Sequence, residues 1–535
     1  MRNLKYLILF LWLLNSTPLI QAQNIDFGKE KINLIIDRTL FVCGDEINFM
    51  AQIENIYNQS DVLYVELILP GGNALVSQKH QIVDKTANGK LIIDHGLESG
   101  TYYLKAYTKY LRNFGPSAFT YYPIKIVNPT SGNFRSGMGS NVFESSTNTE
   151  IPKISAKKID NKHIAVHLND TQFGNSENAV FSIIPENTFL FSNFKSKADT
   201  INRQNYYPES RGISLSGLLV DSSNNLPLAF KEITLSIIDQ RHFIPNLTNR
   251  EGKFFFALPD IEGNTEVFIS TKKETGIRPK ILVDRDYDSE PVSLPDPPFY
   301  LTDDERSAAI KIAQNIQIEE LFYTRNTIQK LDTFFIPFYG KAYNTLYLDK
   351  YINMETLEEY FTELPGLVRI KTTKGEKNFS IYSTIEEMNI FPPLVLIDWV
   401  AVEDNNRILA VSPKGIERVE IIPYPYVYGG FSYGGIISIR TRKGDFGGIS
   451  LPKTGSFFSF DFYVAQDERK SLEDINHLPN TQNTLYWKNH PIKNNESIVI
   501  ELSTTVDLQN YWLLVQSLTD NGEIKKEVFS LVLNQ

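Results

Sequence analysis

Three short stretches carry residue types that could do chemistry. Cys43-Gly44-Asp45-Glu46 holds the only cysteine of the chain. An internal thioester needs a Gln amide three residues after the Cys. Glu46 stands in that place, so Cys43 reads as a turn or packing residue. His163 and His167 flank Ile164-Ala165-Val166, an apolar stretch that reads as a strand. On a strand two residues four apart share a face about 13 Å apart, beyond the reach of one metal whose ligands lie about 2 Å from it. Asp284, Asp286, Asp288 and Glu290 alternate with other residues before Pro291. Such a run could gather oxygens for Ca²⁺, but it reads as a solvated linker. No His-Glu-x-x-His or phosphate-loop pattern occurs in the sequence. These residues assign no catalytic site, no cofactor and no metal, and the chain does not read as an enzyme.

The sharpest binding candidate is aromatic: Pro423-Tyr424-Pro425-Tyr426-Val427-Tyr428-Gly429-Gly430-Phe431-Ser432-Tyr433-Gly434-Gly435. Tyr424, Tyr426, Tyr428, Phe431 and Tyr433, with Trp399, offer large contact areas, and the glycines let another backbone approach closely. The same rings could fill the edge of their own domain's core, or form a platform for a glycan.

The elements that must position these residues are mostly strands. Charge comes to 53 basic against 63 acidic residues, a net of −10, which argues against a nucleic-acid partner. One Cys excludes an internal disulfide framework, and 27 Tyr with 34 Phe suit aromatic-rich strands. Residues 1–23 read as a signal peptide: Met1-Arg2-Asn3-Leu4-Lys5, then an apolar run from Tyr6 to Leu14, then Ile20-Gln21-Ala22. No later stretch reaches the apolar length of a membrane helix. The spacing predicts a β-sandwich over 24–129, a Ser/Asn/Gly-rich linker over 130–150, a small β domain over 151–211 and a second sandwich over 212–290. A helical connector follows over 291–335, opened by the capping box Thr302-Asp303-Asp304-Glu305, then an α/β region over 336–450 and a last β-sandwich over 451–535. The predicted class is mainly β and multidomain, sandwich modules plus one small α/β domain.

Four stretches resemble known modules. Glu30-Lys31-Ile32-Asn33-Leu34-Ile35-Ile36-Asp37-Arg38 and Ser99-Gly100-Thr101-Tyr102-Tyr103-Leu104-Lys105-Ala106-Tyr107-Thr108 resemble the macroglobulin-type domain of exported Bacteroidota proteins. Leu215-Ser216-Gly217-Leu218-Leu219-Val220-Asp221 and Thr248-Asn249-Arg250-Glu251-Gly252-Lys253-Phe254 resemble the carboxypeptidase-regulatory-type sandwich, which implies no peptidase activity. Thr356-Leu357-Glu358-Glu359-Tyr360-Phe361-Thr362-Glu363-Leu364, Pro393-Leu394-Val395-Leu396-Ile397-Asp398-Trp399 and Gly434-Gly435-Ile436-Ile437-Ser438-Ile439-Arg440-Thr441 resemble the plug domain of TonB-dependent receptors, with Trp399 where a Gly is usual. Thr484-Leu485-Tyr486-Trp487 resembles the sandwich that follows such plugs in barrel-less proteins.

The stretch from Gly444 to Gln535 falls well short of the roughly 200 residues of a full receptor barrel, so no transmembrane barrel of its own is expected. Together the resemblances imply an exported, outer-membrane-associated scaffold, periplasmic or on the cell surface. Its expected partner is an outer-membrane barrel complex, bound through the plug-like and sandwich domains. The alternative is a module for envelope or extracellular polymers. The small-molecule ligand stays unassigned.

Overall fold

A computed structural model describes residues 28–54, 60–135, 137, 151–159, 163–167, 176–190, 206–272, 274–322, 336–364, 366–373, 375–382, 385, 390–465, 481–492, 497–502, 510–518 and 524–534. The signal peptide and most of the 130–150 linker lie outside these residues. The fold is mainly β, in several small sheets, as the strand patterning predicts.

The first sandwich pairs two sheets. One has the order Lys31–Ile36, Glu46–Glu54, Thr86–Ile92. The other runs Leu40–Val42, Thr120–Val127, Gly100–Tyr107, Val62–Ile68, Ala74–Gln81. Gly100–Tyr107 and Val62–Ile68 are buried along their whole length, so alternation gives way to continuous apolar and aromatic runs. Their Lys105 and Glu66 are buried too, which makes them the exceptions to explain.

The second sandwich sets Lys253–Ala257, Ser214–Asp221 and Pro279–Val283 against His242–Leu247, Glu232–Ile237, Asn264–Thr271 and Ser456–Asp461. The last strand comes from the far side of the α/β region, with Phe458 opposite Val267 and Phe460 opposite Thr265. Sequence reading puts 451–461 in a C-terminal domain. The structure corrects this, because the apolar Phe458 and Phe460 complete a sheet whose own segment supplies three strands. One core spans both sandwiches, from Ile32 through Leu235 to Phe462.

A second correction concerns 151–211. Strands Lys153–Lys158, His163–His167 and Ser176–Pro185 do not form a separate domain. They interleave with Tyr486–Ile492, Ser497–Glu501, Tyr511–Leu518 and Ile524–Asn534 in one seven-stranded sheet. Ile154, Phe181, Ile492, Ile500 and Leu513 share its core, so strands from both chain segments enclose one apolar interior. The predicted strand is present at His163–His167, antiparallel to Ser497–Glu501.

Helix α1, Asp303–Phe322, begins at the predicted capping box. Thr302 Oγ1 accepts from the Glu305 amide at 3.2 Å, and Glu305 accepts from the Thr302 amide at 2.8 Å. Its Ala308, Ala309, Ile312, Ala313 and Ile316 pack on Leu40 and Val42 of the first sandwich. The α/β region has a five-stranded sheet in the order Asn344–Tyr347, Ile416–Ile422, Ile436–Thr441, Leu394–Ile397, Val400–Ala401. Helix α2, Leu357–Glu363, buries Leu357 and Phe361 against it, as the sequence pattern predicts. Among the described residues no helix is long and apolar enough to cross a membrane.

Removing residues 481–535 takes both partners from Ser176–Pro185 and one each from Lys153–Lys158 and His163–His167, which keep only each other. The truncated protein is expected to be cut by protease within 151–190 under conditions that leave the full chain intact there. Equal resistance in limited proteolysis would mean that 151–190 folds without the C-terminal strands.

Candidate partner-binding site

The aromatic run predicted as a contact surface divides into an inward and an outward set. Strands Tyr426–Tyr428 and Phe431–Tyr433 pair across Gly429-Gly430, both at positive φ (59° and 83°). This is the tight two-residue hairpin that glycines permit. A Cβ on Gly429 would overlap the Pro245 carbonyl, so the tip of the hairpin abuts the second sandwich of the same chain. Tyr433 is 9% exposed and shares a cluster with Phe243, Leu394 and Ile436, against which Tyr426 and Phe431 also pack. Within this set only Tyr424 and Tyr428 are exposed.

Trp399 is buried at 6% exposure, which corrects its reading as a contact residue. Asp398 and Trp399, at φ 42° and 73°, form the turn between Leu394–Ile397 and Val400–Ala401. A non-glycine residue in this conformation carries strain, and the surroundings hold it in place. The Asp398 carboxylate accepts from Thr441 N at 2.9 Å, Thr441 Oγ1 at 2.5 Å and Phe446 N at 3.0 Å. The Trp399 carbonyl accepts from Ser236 Oγ at 3.0 Å. Tyr339 stacks on the Trp399 ring, and the Arg440 guanidinium lies over it. Burial pulls the Arg440 pKa down to about 10.

Outward-facing side chains flank the end of the α/β sheet where Leu394 and Ile422 pair with Ile436 and Asn344 pairs with Ile421. Tyr343 and Tyr424 leave that end in edge-to-face contact at 5.7 Å, and both are exposed. Ile390 and Phe391, just before Leu394, are exposed as well. Tyr382, after Ile381, whose side chain lies beside Gly435, is also exposed. Sequence reading singled out Tyr424 here and missed Tyr343, Tyr382, Ile390 and Phe391. Only the register brings Tyr343 and Tyr424 together.

The acidic run 284–290 is solvated only in part: Asp284 and Glu290 are exposed, whereas Asp286 and Asp288 are paired with lysines. It forms a strap across the first sandwich, between the second sandwich and α1. Asp288, 6% exposed, accepts from Lys105 Nζ at 2.8 Å, and its amide donates to the Tyr107 hydroxyl at 2.8 Å. Lys105 is also 3.0 Å from Glu66. Arg112 donates to the carbonyls of Arg285 and Asp286, each at 3.1 Å. Asp286 meets Lys79 and lies 3.6 Å from Lys109, which also pairs with Glu209 at 3.2 Å and donates to the Ser214 carbonyl at 2.8 Å. Farther along, Tyr103 donates to the Pro295 carbonyl, Arg135 pairs with Asp296, and Val292 and Leu294 enter the core. Among the described residues no three metal-ligating side chains converge.

A second polar junction joins the first sandwich to the seven-stranded sheet. Arg38 binds Asp45 at 2.8 and 3.2 Å, Thr484 Oγ1 donates to Asp37 at 2.6 Å, and Gln516 donates to the Ile36 carbonyl at 2.7 Å. Burial raises the Asp37 pKa against the pull of Arg38. Cys43 is buried beside this junction, its pKa raised by burial to about 11, and its thiol donates to the Leu97 carbonyl.

Comparison with known proteins adds little. No family model and no curated protein sequence matches. Among solved structures, Escherichia coli alpha-2-macroglobulin activated by porcine elastase aligns over 94% of this chain and 44% of its own, at 9% identity and a TM-score of 0.23. Salmonella alpha-2-macroglobulin reacted with methylamine aligns over 94% and 23%, at 9% identity and a TM-score of 0.16. The chain spans less than half the length of either, and at these TM-scores the likeness carries no argument.

Two substitutions probe this geometry. Trp399→Gly relieves the positive φ but removes the ring from its stack, so a net loss of about 2–4 kcal/mol is expected in denaturant unfolding. A neutral result would mean that the ring is not part of the packing. Asp288→Asn leaves Lys105 short of a buried counter-charge and is expected to cost about 3 kcal/mol. Asp284→Asn, at an exposed position in the same run, is expected to stay within about 0.5 kcal/mol. Equal effects at the two sites would contradict the buried strap.

Proposed function

We propose that this protein is an exported, non-catalytic scaffold of a bacterial envelope that binds partner proteins, with an outer-membrane barrel complex as its partner. The observation that supports this reading is the exposed aromatic rim of the α/β region, formed by Tyr343, Tyr382, Ile390, Phe391 and Tyr424. Exposed aromatic side chains such as the Tyr343–Tyr424 pair suit a protein interface, where Tyr anchors contribute more than their number suggests. The choice of a barrel follows from the resemblance of residues 336–444 to receptor plugs, a module shaped to sit against or within such barrels. The macroglobulin-type and regulatory-type resemblances point the same way, toward modules that bind and pack.

The experiment is affinity purification of the tagged full-length protein from gently solubilised envelopes, beside a Tyr343→Ser/Tyr424→Ser variant. A stoichiometric barrel protein is expected with the native chain. Its recovery is expected to fall roughly tenfold or more with the variant, the loss of two interface anchors. Elution of the native protein alone contradicts the barrel partner, and retention on a polymer array would then favour the polymer-binding alternative.

A further inference from the structure

One feature of the strap goes beyond ion pairing. Lys79, on strand Ala74–Gln81, is fully buried, at 0% exposure. Its Nζ is boxed by rings, 4.0 Å from the centroid of Phe460, 5.4 Å from Tyr287 and 5.9 Å from Tyr64. Within that box it meets two oxygens, the Asp461 carbonyl and Asp286 Oδ2. The other carboxylate oxygen, Asp286 Oδ1, is buried without a hydrogen-bond donor and faces Lys109 Nζ at 3.6 Å. One carboxylate therefore stands between two lysines, and the two differ. Burial pulls the Lys79 pKa down despite Asp286. Burial also acts on Lys109, but there Glu209 and Asp286 outweigh it and hold the ammonium charged. Glu209 is itself fixed by the Ser214 amide at 2.7 Å, the Ser214 hydroxyl at 2.6 Å and the Tyr64 hydroxyl at 3.0 Å.

We propose that Lys79 and Asp286 are joined after folding by an intramolecular amide bond. The reactants are an ammonium and a carboxylate in a box where an ion pair is poorly solvated, so passing the Lys79 proton to Oδ2 to give amine and acid costs little there. The freed lone pair on Nζ adds to Cγ of Asp286. Negative charge gathers on Oδ1, opposite the Lys109 ammonium, which stabilises it as a preorganised cation does at an oxyanion. A proton then moves from Nζ to Oδ2, the Cγ–Oδ2 bond breaks and one water leaves. Nothing is oxidised or reduced, and the fixed contact of amine and acid replaces the activation that free reactants would need. The product is neutral, and Oδ1 becomes an amide oxygen that accepts from Lys109. The bond would close a loop from residue 79 to residue 286 and fasten the strap to the first sandwich covalently.

The test is peptide mass spectrometry of the full-length protein, denatured and digested with trypsin. The bond blocks cleavage after Lys79. The expected product is a branched peptide joining 39–85 to 286–306, one water lighter than the two linear peptides together. A Lys79→Arg variant, which keeps the charge and cannot form this amide, is expected to yield no branched peptide. Recovery from the native protein of separate peptides 39–79, 80–85 and 286–306, without the branched species, overturns the proposal and leaves an ion pair at this place.

Discussion

Lys79, Lys105 and Lys109 project from the first sandwich into protein interior, and a buried ammonium without a counter-charge costs several kcal/mol. The rest of the architecture answers that constraint. Glu66 comes from the strand beside Lys105, but one carboxylate is not enough for three lysines and Arg112. Glu209 arrives from the segment leading into the second sandwich, and Asp286 and Asp288 from the segment leaving it. The charges of the first module are thus balanced only when the second is in place. Apolar contacts run the same way, with one core passing through both sandwiches and the strap's Val292 and Leu294.

The chain path makes this coupling hard to undo. After the strap and α1 it builds the α/β region, then returns through Ser456–Asp461 to complete the second sandwich. Phe460 of that returning strand is the ring nearest Lys79. The α/β region is therefore anchored at both its ends, and its hairpin is seated on Pro245. The remaining C-terminal strands pair with those from 153–185, and Arg38, Asp37, Thr484 and Gln516 tie that sheet to the first sandwich. A frame locked in this way holds the exposed aromatic rim on a fixed support, which suits a scaffold.

Much of this was legible at the level of elements. Strand periodicity, the capping box at Thr302 and the amphipathic pattern at Leu357 and Phe361 are local signals, and each marks an element that is present. Partnership was less legible. A strand such as Ile164-Ala165-Val166 shows that it has one buried face, but not that the strand beside it lies at Ser497–Glu501. The acidic run failed for the same reason. Alternating carboxylates look solvated when their neighbours in sequence are polar, and the lysines that bury them sit far upstream. Trp399 misled in the opposite sense. A large ring in a turn suggests exposure for contact, whereas here the ring's own packing holds the strained turn.

The central claim is that the strap is a charge clasp, and a double-mutant cycle tests it most directly. Lys105→Met and Asp288→Leu would be made singly and together, and unfolding free energies measured in urea. Lys105→Met takes the lysine from both Asp288 and Glu66, and Asp288→Leu leaves Lys105 with Glu66 alone. The double variant is therefore expected to lose less stability than the two single losses summed, with a coupling of about 2 kcal/mol or more. Additive losses, with no coupling between the two positions, would contradict the clasp.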